Sequence, residues 1–149
     1  LAPAHNLWVC AGAFVFALLA VSCERTSEPG AQGPRTLELN GDTLQLEAGV
    51  TLHDVKVRST QNMDFDPAEI RAKVGDIVRF TSGDTRTHGI VIHAPTPDAQ
   101  ATLNAAGQTR SPPLVAQGQA WVVSLNRLPP GRYSISCISH AGTAALTVQ

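Results

Sequence analysis

Several common chemistries are missing from this sequence. Its formal net charge is −1, and its eleven Lys and Arg residues are scattered instead of gathered into a stripe. Aromatic residues make up only 5% of the chain. With no basic patch interleaved with aromatics, the composition argues against nucleic acid as a partner. The apolar, uncharged run from Leu7 to Ser22 stops at sixteen residues, short of the ~20 that a membrane-spanning helix needs. Cysteine is scarce. Of Cys10, Cys23 and Cys137, only the last falls where the sequence has a folded pattern, so no disulfide framework is possible there. Methionine is scarcer still, with Met63 the single example. No internal repeat is visible. A chain of 149 residues that is 43% hydrophobic has enough apolar content for one compact core and too little length for two ordinary domains.

Taken in order, the run from Leu7 to Ser22 reads as the apolar core of a signal peptide spanning residues 1–23. It closes on Leu19-Ala20-Val21-Ser22-Cys23, which resembles the lipobox of bacterial lipoproteins. That resemblance makes Cys23 the lipidation site and the mature N-terminus, and implies a periplasmic or cell-envelope protein held to the membrane by lipid. An uncleaved membrane anchor is the alternative, and either one exports the rest of the chain. Residues 24–35, with Pro29, Gly30, Gly33 and Pro34 and no aliphatic larger than alanine, have the composition of a flexible linker. The folded domain is expected over 36–149.

Alternation of Leu37, Leu39, Leu44 and Leu46 around Asn40-Gly41 predicts a hairpin over 36–47. Short apolar runs at Val55–Val57, Ile70–Phe80, Ile90–Ile92, Trp121–Leu125, Tyr133–Cys137 and Leu146–Val148, separated by turn residues, read as strands. A threonine, a proline and a glycine at Thr96, Pro97 and Gly107 frame one short helix. About eight strands with this punctuation predict an all-β fold, an antiparallel β-sandwich.

The chemistry gathers near the C-terminus. Tyr133, Ile135 and Cys137 alternate with Arg132, Ser134 and Ser136, so the cysteine ends an inward strand face, and His140 follows three residues on. Upstream, His88 shares the inward face with Ile90 and Ile92, whereas His93 faces away. A thiolate and imidazoles delivered together suit copper or zinc. A buried inert cysteine and a Cys/His nucleophilic dyad are the alternatives, and the dyad lacks any local signature for an orienting group or oxyanion hole.

Four stretches taken together, Asn62 to Ile70, Val74-Gly75-Asp76-Ile77-Val78-Arg79-Phe80, His88-Gly89-Ile90 and Gly131 to His140, resemble the successive motifs of the cupredoxins, in the plastocyanin and amicyanin branch of small blue copper proteins. The likeness runs over about residues 50 to 148. It implies a Greek-key β-sandwich binding one type 1 copper ion through His88, Cys137 and His140. It implies electron transfer to a partner protein by a monomer, and no enzymatic activity. The family also carries a methionine a few residues beyond the second histidine, as the weak axial ligand. Here the chain runs His140-Ala141-Gly142-Thr143-Ala144-Ala145-Leu146 with none. The axial place is thus open, or filled by water, by a backbone carbonyl near Thr87 or by the Thr143 hydroxyl. Met63 reads as a core side chain. Three functions follow: a copper electron carrier, a copper-binding or delivery protein that exploits the open position, and a metal-free sandwich serving as an interaction module. One small domain with a single Cys/His loop argues against a multicopper oxidase.

Overall fold

The computed structural model describes residues 34–60, 63–138 and 140–149. The signal peptide, Cys23 and nearly all of the linker lie outside the described residues. Described strands are β1 (Arg35–Leu39), β2 (Asp42–Leu46), β3 (Leu52–Ser59), β4 (Met63–Asp66), β5 (Glu69–Ala72), β6 (Ile77–Ser82), β7 (Ile90–His93), β8 (Ala120–Ser124), β9 (Gly131–Cys137) and β10 (Thr143–Val148), with one helix, α1 (Pro97–Ala105). Arg35, placed in the linker by composition, already opens β1.

Two four-stranded sheets, ordered β5-β10-β9-β7 and β4-β3-β6-β8, enclose one core. The period of two that marks each strand in sequence is the period of burial. Val55 and Val57, Val78 and Phe80, Ile90 and Ile92, Tyr133 and Ile135 all point inward. Phe80 stacks on Trp121 at 5.7 Å between ring centres and meets Phe65 edge-on at 6.5 Å, which fixes the middle of one sheet. Not all pairings are antiparallel: β3 lies parallel to β6 and β5 parallel to β10. The chain leaves β3, passes through β4 into the opposite sheet at β5 and comes back as β6 beside β3, so those partners run the same way. Two strands beyond the expected eight appear. One is β4, whose single buried apolar side chain among Asp64, Phe65 and Asp66 makes it a weak strand in sequence. Its ladder with β3 supplies the rest.

Helix α1 begins at Thr96, whose side chain accepts from the Ala99 N–H, and buries Ala99 and Leu103 against the core. The β1-β2 hairpin forms its own two-stranded sheet around Asn40 and Gly41, both at positive φ (52° and 94°), and buries Leu37 and Leu46. Its tip meets the start of β8. The Asn40 side-chain amide donates to the Ala120 carbonyl at 2.7 Å and accepts from the Ala120 N–H at 2.8 Å.

The sandwich has two distinct ends. One gathers the start of β3, the 73–76 turn and the end of β10. There Arg35 Nη2 donates to the Val50 carbonyl at 3.1 Å and the Val74 N–H to the Gln149 carbonyl at 3.1 Å. The other gathers the end of β3, the loop after β6, the start of β7 and the end of β9, and it carries the candidate site.

Candidate metal centre

His88 sits in the loop between β6 and β7, locked by two hydrogen bonds of 2.9 Å with Leu114, one in each direction. Two residues later β7 begins, and Ile90 lies directly opposite Cys137 at the end of β9. Adjacent strands thus bring together residues far apart in sequence. The histidine is fully buried. Its Nε2 stands 2.8 Å from Asp84 Oδ1, while its Nδ1 is, among the described residues, the one buried side-chain nitrogen or oxygen with no hydrogen-bond partner. An orphaned buried acceptor of this kind costs roughly 1–3 kcal/mol unless something occupies its lone pair.

Cys137 is a free thiol, half-buried and packed against the core. Its Sγ lies 3.5 Å from His140 Nδ1. An ion bound to both, with metal–sulfur and metal–nitrogen bonds near 2.3 and 2.0 Å, would hold the two atoms about 3.5 Å apart. The His88 and His140 rings, tilted by 50°, have centres 6.1 Å apart, about 1 Å wider than two imidazoles sharing one ion. Consistent with that gap, no three His, Cys, Asp or Glu side chains among the described residues are gathered closely enough to hold an ion as they stand. One thiol and two imidazoles are donor types that suit a soft metal such as copper.

The surroundings are built tightly. The Ile138 N–H donates to the Gly89 carbonyl at 2.8 Å, tying the loop after Cys137 to the residue after His88. Asp84 accepts from the Ser59 N–H at 2.7 Å and from the Arg86 N–H at 2.9 Å in addition to facing His88. Burial pushes its carboxyl up, yet those backbone donors and His88 outweigh burial and hold it at about 2. A cavity of about 290 Å³ opens beside His88, walled by Thr87, Gly89, Arg110, Pro113 and Ile138. His93 is exposed, with Nε2 2.9 Å from Ser136 Oγ, and takes no part. Thr143 is exposed at the start of β10. Asp84 is the residue that sequence reasoning passed over. Its signal was a carboxylate four positions before His88 inside a short polar loop.

Two facing sheets with a thiol and two imidazoles collected at one end define a cupredoxin-type β-sandwich. A family model of copper binding proteins, the plastocyanin/azurin family, matches residues 52–149, and the chain belongs to that family. Among solved structures, a mutant plastocyanin of fern is 26% identical, covering 64% of this chain and 99% of that one with a TM-score of 0.52. A purple cupredoxin from Nitrosopumilus maritimus is 20% identical, covering 65% of this chain and 99% of that one with a TM-score of 0.49. No curated protein gives a significant match.

Proposed function

We propose that the protein is a single-copper electron carrier that holds its ion through His88, Cys137 and His140 and lacks the axial methionine. On this reading residues 1–23 are a signal peptide, Cys23 carries the lipid, and residues 24–35 link the anchor to a monomeric domain in the periplasm or cell envelope that meets a redox partner protein. Membership of a copper-binding family supports the metal. The observation that carries the residue assignment is the convergence at one end of the sandwich of an unpartnered buried Nδ1 on His88 with a free thiol 3.5 Å from His140 Nδ1. Bound copper supplies a one-electron Cu(II)/Cu(I) couple. The chain's own contribution is a buried imidazole just before β7 and a half-buried thiol at the end of the adjacent β9, which restrict rearrangement when the charge changes. Titration with Cu(II) should produce an intense visible thiolate-to-copper band, and Cys137→Ser should abolish it while far-UV circular dichroism stays that of a β-sandwich. A band that survives in Cys137→Ser rules out the assignment.

A second reading, copper binding for delivery, draws on the cavity that borders His88, where an incoming ligand could approach one of the three proposed donors. Loss of copper to a chelator within seconds would favour delivery, and retention with reversible redox cycling favours the carrier. Failure of the parent to bind copper leaves the metal-free interaction module.

A further inference from the structure

An ionised carboxylate accepts hydrogen bonds and donates none. Asp84 receives backbone N–H bonds from Ser59 and Arg86, so its contact with His88 at 2.8 Å requires the proton to sit on His88 Nε2. In the neutral imidazole that leaves Nδ1 with its lone pair free, and Nδ1 is the buried atom without a partner. Asp84 is itself held from several directions. Its carboxylate is tied to the end of β3 through Ser59, and its carbonyl accepts from Ser82 Oγ at 2.8 Å. A fully buried ring hydrogen-bonded to a clamped anion has one tautomer and one orientation.

We propose that Asp84 is the positioning residue of the metal centre: it fixes His88 as the Nε2–H tautomer with Nδ1 facing the metal, and sets a permanent negative charge one imidazole ring away from the ion. The charge follows from the same geometry. A carboxylate hydrogen-bonded to the far nitrogen makes the near nitrogen a stronger donor and stabilises Cu(II) more than Cu(I). The potential is therefore pulled down from the protein side in a chain whose ligand loop has no methionine. Asp84 touches neither the metal nor Cys137, and acts only through His88.

The copper arms of the test rest on the proposed copper function, whereas the tautomer arm does not. In the metal-free protein, long-range ¹H–¹⁵N spectra should show His88 protonated at Nε2 and bare at Nδ1. Asp84→Ala should lose that single tautomer and bind Cu(II) about tenfold to hundredfold more weakly in competition with a chelator. Asp84→Asn, which keeps an oxygen acceptor and the side-chain size but not the charge, should keep the tautomer and raise the reduction potential. The proposal is overturned if Asp84→Ala retains both tautomer and affinity, or if Asp84→Asn leaves the potential where the parent has it. Should Asp84→Ala not fold, Asp84→Asn, which keeps an acceptor for His88 and Arg86 and gives up only the one that serves the Ser59 N–H, decides through the potential. Should the parent take up no copper, the function reading fails, and the tautomer still decides the positioning role: a metal-free parent whose His88 carries its proton on Nδ1 overturns it, as does an Asp84→Ala that keeps the Nε2–H form.

Discussion

Gly89 is small because of what lies opposite. A Cβ placed there would stand 2.7 Å from Ile138 Cδ1 and 3.3 Å from its Cγ1, closer than side-chain atoms pack. Gly89→Ala should therefore force Ile138 off its rotamer and lower stability by about 0.5–1.5 kcal/mol. Ile138→Val, which deletes Cδ1 from a side chain already 51% exposed, should cost little alone and return most of the loss in the double variant. Urea unfolding of the four proteins gives the coupling directly, and simple additivity would mean the contact carries no strain. The same pair links the residue after His88 to the residue after Cys137, so space at a glycine is a condition for the segments that carry His88 and Cys137 to meet.

At the scale of elements, the hairpin is what the family match over 52–149 does not contain. It lies against β8, an edge of its sheet, and the Asn40 amide occupies both polar groups of Ala120 as a neighbouring strand would. Asn40→Ala removes both bonds. The expected cost is about 1–3 kcal/mol, seen as a lower melting temperature and faster hydrogen exchange at the Ala120 N–H. Unchanged exchange there would mean the edge is protected by something other than Asn40. Alternating leucines and an Asn-Gly pair make a hairpin legible in the sequence, because both its period and its turn are local. Period also shows which face of Ile90, Ile92, Tyr133 and Ile135 is inward, and hence the all-β sandwich. It carries no information about which strand lies next to which. The parallel partners of β3 and β5 arise from returns across the sandwich, and β4 gains its ladder from a neighbour, not from its own apolar content. The candidate site divides the same way. Cys137 and His140 share one strand end and are visible together, whereas Asp84 joins His88 only because the loop after β6 folds back on Ser59.

For the whole molecule, the acid limit of stability should be set at both ends of the sandwich, by Asp84 beside His88, held at about 2, and by Asp76 at the end away from Cys137. Buried Asp76 accepts from the Thr51 and Lys73 N–H groups at 3.0 and 2.9 Å and faces His53 Nε2 at 3.0 Å. Burial pushes its carboxyl up, but His53, Lys73 and Thr51 together outweigh burial and hold it below its ordinary value. A carboxyl depressed in the folded state stabilises the fold fully above its unfolded pKa, about 3.9, and loses that contribution as pH falls through the lower folded value. Urea unfolding of the metal-free protein should therefore show stability falling below about pH 4. Asp76→Asn should be less stable than the parent at neutral pH and show a shallower fall in acid. Equal slopes would place the acid sensitivity elsewhere. Arg35 and Gln149 lie at this same end, with the length of the sheets, about 20 Å for a strand of six residues, between them and Cys137. A gold electrode attached through Arg35 or Gln149 would face the pole away from Cys137. Copper bound as proposed would answer such an electrode only through a dissolved mediator able to reach the opposite face.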